Sequence, residues 1–237
     1  MPLKYFIVHA HHEPASFNGA MTRRAVADLT AAGHEVKVSD LYAMGFDPVS
    51  DRRNFTTVAN PAFLKQQNEE RHATEHNGFA PDLQAEMDKL AWCDVLVFQF
   101  PLWWFSMPAI LKGWVDRVLA AGRIYGGGKW YSNGFGIGKR AMVSMTTGGP
   151  EAMYRQDCLE PPMDTLLVPI EHGVFWFNGF SVLPAFIAWS AAHGTDADRH
   201  VTLDRYAAHL LAHTTTPGRP PLSLADYPPP NFARKTT

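Results

Sequence analysis

Residues Asp94–Phe100 read Asp-Val-Leu-Val-Phe-Gln-Phe (DVLVFQF), a nearly continuous apolar run. Seven residues is strand length, and apolar side chains on both alternating faces describe a strand buried on both sides. That environment belongs to a central strand of a parallel sheet covered by helices. Working outward, Lys4–Ala10 (KYFIVHA) is a second such run. A polar turn, His11–Ser16, follows it, then a helix in which Phe17, Met21, Ala25 and Leu29 recur at helical spacing up to a C-terminal Gly33. His34–Asp40 suits the next strand, and a helix over Asp82–Trp92 leads into the central run. Pro108 opens an amphipathic helix carrying Ile110, Leu111, Trp114, Val115, Val118 and Leu119. Arg140–Thr146 (RAMVSMT) predicts a fourth strand and Val174–Leu183 a fifth. Thr195, with Asp196 and Asp198 in the first turn, starts a last helix bearing Leu203, Tyr206, Ala207, Leu210 and Leu211. Buried strands alternating with helices specify a doubly wound parallel α/β sheet, because parallel neighbours need right-handed crossovers that place helices on both faces.

The remaining segments are punctuated by Pro, Gly and Asn. Leu41–Ala80 has no clean period and reads as an extended insertion with at most short helices, of the kind that serves a purpose. Gly122–Gly138 is rich in glycine and aromatics, and Thr214–Thr237 is a Pro-rich, extended tail behind a domain of residues 1–213. At 237 residues with a net charge of −2, the chain has the length for one cored domain and no basic footprint for nucleic acid. No run reaches membrane-span length, and the N-terminus lacks a signal peptide's core and cleavage site. Cys93 and Cys158 are the two cysteines, which fits a reducing cytoplasm better than a disulfide framework. Seven tryptophans within 12% aromatic content exceed the needs of a plain core, and point to a flat ligand or a large interface.

In a doubly wound sheet ligands sit at the C-terminal strand ends. The informative residues fall there. His11–Asn18 ends at a helix N-terminus, where unpaired N–H groups and the dipole favour a phosphate; the plain alternative is that Ser16 only caps the helix. Neither a P-loop nor a G-x-G-x-x-G fingerprint is present, and His9, His11 and His12 have no fitting partners for a metal site. Pro101-Leu102-Trp103-Trp104-Phe105 ends the central strand with more aromatic surface than one core face absorbs, although one or two rings could pack around Pro108. Thr146-Thr147-Gly148-Gly149 offers small side chains and close backbone approach to a flat heterocycle, or is an ordinary turn.

Taken together, HxxxxSFN (His11–Asn18), FQFPLxWF (Phe98–Phe105), PAILKGWxDRV (Pro108–Val118), TTGGxxxMY (Thr146–Tyr154) and Gly179-Phe180 resemble the NAD(P)H:quinone oxidoreductases, the DT-diaphorase-like branch of the flavodoxin-like superfamily. The resemblance spans roughly residues 3–213. It implies a flavodoxin-like five-stranded parallel sheet of order 2-1-3-4-5, bound FAD, NADPH or NADH as reductant, a quinone or similar acceptor, ping-pong turnover, and a homodimer whose sites use both chains. By the same resemblance His11, Phe17 and Asn18 lie near the FAD phosphates, Gln66 or Gln67 near its remote half, and Arg199 near the adenosine. Pro101, Leu102, Trp104 and Phe105 line the isoalloxazine, while Thr146, Thr147, Gly148, Gly149 and Tyr154 hold its polar edge. Tyr125 and Phe177, with Trp104, wall the acceptor. Two positions depart from the pattern: Glu160 stands where mammalian members carry a histidine that relays a proton with the tyrosine, and Gly127 replaces a second wall tyrosine. Trp103 also adds bulk at a position that is polar in those members. The rival expectations are an FMN-dependent nitro- or azoreductase on the same fold, and a regulatory flavoprotein of a potassium-efflux system. The Leu41–Ala80 insertion favours FAD, since a dinucleotide's adenosine half needs cover.

Overall fold

The computed structural model describes residues 1–235; Thr236 and Thr237 of the expected extended tail lie outside the described residues. Strand β1 (Lys4–His9) is followed by α1 (Phe17–Ala31), β2 (Glu35–Asp40), α2 (Gln66–His76), α3 (Pro81–Trp92) and β3 (Val95–Pro101). Then come α4 (Ala109–Val118), β4 (Arg140–Thr146), α5 (Met163–Ile170), β5 (Ser181–Val182), β6 (Phe186–Ala188) and α6 (Asp196–Ala212). The strands are all parallel in the order β2-β1-β3-β4-β5, which matches the expected order 2-1-3-4-5. Every residue of β3 is buried, as a strand apolar on both faces requires. One core packs Phe6, Phe98, Phe100, Leu111 and Trp114 against α3, α4 and α5, and the other packs Tyr5, Ile7, Val97 and Met142 against α1 and α6. Among the described residues no helix is long and apolar enough to cross a membrane.

The local signals act where the sequence placed them. Ser16 caps α1 by accepting from Gly19 N–H at 3.1 Å, and Gly33 takes the left-handed φ of 84° that ends this helix. Thr195 and Asp198 form a reciprocal capping box at α6. Glu86, fully buried in α3, is held by Trp114 Nε1 (2.8 Å), Ser39 Oγ (3.0 Å) and Lys89 Nζ (2.5 Å), so a charge inside the core meets a cation and two further donors.

Two expectations need correction. Of Val174–Leu183 only Ser181–Val182 forms strand, as β5: residues 171–176 continue α5 as a π-helical turn, and Gly179 with φ 90° reverses the chain before it. Phe175 is buried against Phe98 and Phe180, so the apolar run is a buried helix end, which periodicity cannot separate from a buried strand. The fifth strand position is filled by two pieces, β5 beside Arg140–Ala141 and β6 beside Ser144–Thr146, broken at Pro184, which has no N–H to give a ladder. The insertion, in turn, holds α2, an 11-residue helix longer than the short ones expected. Its buried face includes Glu69 and Glu70, whose carboxylates accept from the amides of Ala59, Asn60 and Ala121 and pin the surrounding loops. The tail crosses the sheet edge, where Arg219 and Val182 exchange backbone hydrogen bonds of 2.7 and 2.8 Å. The Arg219 side chain pairs with Glu171 and lies over the Trp176 ring.

Candidate active site

The C-terminal ends of β1, β3 and β4 bring three loops together. In the first, His11 Nδ1 accepts from Glu13 N–H (3.0 Å) and Glu13 Oε1 from Ala15 N–H (2.7 Å), folding the turn back toward α1. Burial, then His12, lowers the His11 pKa, so the ring is neutral near pH 7. With Nδ1 accepting, its proton is on Nε2, which is left as a donor. Arg23 Nη1 reaches Pro14 O (2.7 Å), and a Cβ on Gly19 would fall 2.3 Å from the same oxygen, so the loop seats directly on the helix. The amides of Phe17 and Asn18 make no hydrogen bond among the described residues. They are the orphan donors of a helix N-terminus.

The second loop turns sharply. Trp103 and Ser106 exchange backbone hydrogen bonds, both 3.0 Å, around a two-residue turn at Trp104 and Phe105. Both have left-handed φ, 51° and 57°, a conformation that costs a bulky side chain on the order of 1–2 kcal/mol. The turn presents Trp104 at 96% and Phe105 at 43% exposure. Trp103 instead packs near His12 and His11, with ring centroids 5.5 and 6.0 Å away. Leu102 N–H donates to Thr146 O (2.8 Å), tying this loop to the third.

In the third loop Thr147 Oγ1 donates to Gly149 O (2.8 Å) and closes the turn. A Cβ on Gly148 would meet nothing within 4 Å, whereas one on Gly149 would lie 3.0 Å from Met153 Sδ and 3.3 Å from Tyr154 Cε2. Gly149 is therefore small to make room for Tyr154, while Gly148 has open space on its free side. Tyr154 stacks near Trp189 (5.5 Å). Burial, then the Glu160 charge, raises its pKa, so the hydroxyl stays protonated as a donor. Glu160 is half-buried, its N–H bonded to Met153 O (3.2 Å).

Other expected residues stand apart. Gln66, Tyr125 and Phe177 line a separate cavity of about 400 Å³ with Val115, Leu119 and Asn178, which includes none of the residues of the three loops. Gln66 Nε2 donates to Glu70, and Gln67 Nε2 to Tyr125 Oη (3.3 Å). Arg199 bonds Gly194 O (2.9 Å) and pairs with Asp196, in the first turn of α6. Sequence reasoning missed Trp189, which backs Tyr154, and Gln99, which ties Tyr206 to Asn18. Gln99 did carry a signal: it is a lone polar side chain inside an otherwise apolar strand.

Residues 3–212 match the family described as having a flavodoxin-like fold. The chain is 40% identical over 208 residues to the ribosyldihydronicotinamide dehydrogenase (quinone) of Mus musculus, covering 87% of this chain and 90% of the mouse protein. It is 42% identical over 205 residues to the NAD(P)H dehydrogenase (quinone) 1 of Rattus norvegicus, covering 86% of this chain and 75% of the rat protein. The chain belongs to the NAD(P)H:quinone oxidoreductase family of flavodoxin-like proteins. A solved Klebsiella pneumoniae structure assigned as a quinone reductase superposes with a TM-score of 0.87 at 36% identity, over 91% of this chain and 86% of that one. Three of the five motifs read in the sequence, at His11–Asn18, Phe98–Phe105 and Thr146–Tyr154, include these strand-end loops.

Proposed function

We propose that this chain is an FAD-dependent NAD(P)H:quinone oxidoreductase that works as a homodimer in a reducing, cytoplasmic setting. The observation that carries the reading is the donor set on the loops that follow β1 and β4: the orphan amides of Phe17 and Asn18, His11 Nε2, and the protonated Tyr154 hydroxyl. This chemistry fits a flavin. Helix N-terminal amides suit the phosphates, and the open side of Gly148 beside Thr146, Thr147 and Gly149 admits a flat ring. Pro101, Leu102, Trp104 and Phe105 would line that ring, and Gln66 and Arg199 would hold the remote half of an FAD. A flavin held there would supply the two-electron redox chemistry that links NADPH or NADH to a quinone.

The chain's own part is orientation and charge. Tyr154 offers a preorganised hydrogen bond where negative charge arrives, and Glu160 is the nearby acid–base candidate. Tyr125 and Phe177, which line a cavity apart from the three loops, would reach the acceptor from a second copy, and the exposed Trp104 and Phe105 rings accord with such a partner. Both cysteines are free, as a reducing compartment keeps them. Boiling the purified protein and chromatographing the released flavin tests the cofactor, with FAD expected and FMN alone contradicting it. A screen of quinones with NADPH and NADH tests the activity; no turnover with any quinone refutes it. Sedimentation of the active, flavin-loaded form as a monomer would rule out the shared site.

A further inference from the structure

Four buried side chains on four elements join end to end beneath the cleft. Tyr206 Oη of α6 donates to Gln99 Oε1 of β3 (3.1 Å), Gln99 Nε2 donates to Asn18 Oδ1 of α1 (2.7 Å), and Asn18 Nδ2 donates to Thr146 Oγ1 of β4 (2.6 Å). Each is more than nine-tenths buried, so water does not substitute for any partner. Turning both amides over would reverse every bond, and the surroundings choose between the two directions. Gln99 Nε2 also faces the Met21 sulfur at 3.8 Å. A thioether accepts weakly and has no hydrogen to give, so the NH₂ belongs on that side and the carbonyl faces Tyr206. Burial raises the Tyr206 pKa and keeps its hydroxyl protonated, so it has a hydrogen to give to that carbonyl.

The consequence falls on Thr146. Its hydroxyl has one hydrogen, and with the oxygen accepting from Asn18 that hydrogen needs an acceptor elsewhere. Among the described residues it has none, although Thr146 is only 7% exposed. A buried donor without a partner is costly to leave, and this one stands at the end of β4 beside the first turn of α1. We propose that Gln99 and Tyr206 are positioning residues that fix the Thr146 hydroxyl as a hydrogen-bond donor to the flavin. The proposal rests on the flavin reading of this cleft. It explains why a polar chain runs through the buried core: the chain sets the direction of one bond at its end.

The test is FAD titration of the apoprotein by fluorescence, with the visible absorption band of the bound flavin as a second readout. Thr146→Val should weaken FAD binding roughly 5- to 100-fold, the range for one lost buried hydrogen bond, and Thr146→Ser should restore it. Gln99→Met and Tyr206→Phe should weaken binding in the same direction and move the absorption band as Thr146→Val does. The decisive variant combines Gln99→Met with Thr146→Val, and should bind FAD no more weakly than Thr146→Val alone. Losses that multiply, or wild-type affinity in both Gln99→Met and Tyr206→Phe, would overturn the coupling. Far-UV circular dichroism checks that each variant is folded; Tyr206→Phe, which removes one oxygen, carries the comparison with Thr146→Val if Gln99→Met does not fold. A wild-type chain that takes up no flavin overturns the underlying reading itself, an outcome distinct from tight binding without coupling.

Discussion

A single methyl group at Gly148 separates ligand contact from protein contact. An added Cβ there meets no atom within 4 Å, and the backbone is outside the left-handed region, so Gly148→Ala is compatible with the fold. Stability should change by no more than about 0.5 kcal/mol, the ordinary range for an exposed substitution. If the flavin ring packs against this turn, the same methyl occupies space the ligand needs. Overpacking costs about 1–3 kcal/mol, which is a roughly 5- to 150-fold weaker Kd. At Gly149 the chain itself resists: the new carbon falls 3.0 Å from Met153 Sδ and 3.3 Å from Tyr154 Cε2. Gly149→Ala should therefore displace Tyr154 and lower turnover before it releases flavin, and Gly149→Val should do both. The assay pairs FAD titration with thermal melting of each apoprotein. Wild-type FAD affinity in Gly148→Ala would refute the close approach, and a melting temperature lowered by more than about 5 °C would refute the claim that the position is sterically free.

Tyr154→Phe should slow reduction of the bound flavin by about tenfold to a thousandfold, the range for one preorganised donor, with little change in NAD(P)H binding in stopped-flow traces. Glu160→Gln should remove a pKa from the pH profile of quinone reduction if Glu160 exchanges a proton; an unchanged profile rejects that role. Lys89→Met leaves the fully buried Glu86 carboxylate without its cation, a loss of about 3–5 kcal/mol, or roughly 6–20 °C in Tm. A Tm drop under about 2 °C would contradict it. Burial, then His209 and Arg140, pushes His213 down to about 4, below the unfolded value of about 6.5. Its neutral form is thus favoured in the fold, so this contribution to stability is whole above pH about 6.5 and is lost as pH falls toward about 4, by at most about 3 kcal/mol. Urea melts of His213→Asn should show a shallower acid decline than wild type, and parallel curves would remove His213 as the cause.

How legible these features were depended on distance along the chain. The DVLVFQF run and the Thr195 capping box declared themselves, because burial on two faces and a cap are local patterns. Val174–Leu183 misled because Phe175 is buried in a helix end as thoroughly as it would be in a strand. Helix α2 gave no apolar stripe to read, since two of its buried residues are glutamates whose partners lie in other loops. The same limit applies to the site. The loops at the strand ends could be located because each follows a strand, but the bonds from Gln99 to Asn18 and from Tyr206 to Gln99 join residues 81 and 107 positions apart. Tyr125 and Phe177 were expected as wall residues by resemblance alone, and in one chain they line a cavity with Gln66, apart from the three loops.

The crossing of the tail over β5 has a practical side. An uncovered strand edge is a template on which another chain can pair, and Arg219 occupies that edge at Val182 with two backbone hydrogen bonds. A protein trimmed after Ala212, where the family match also stops, would lose this cover and bare the edge. Its fate in concentrated solution would then be set by self-association, which makes the N-terminus the safer place for a purification tag and the tail a segment to retain.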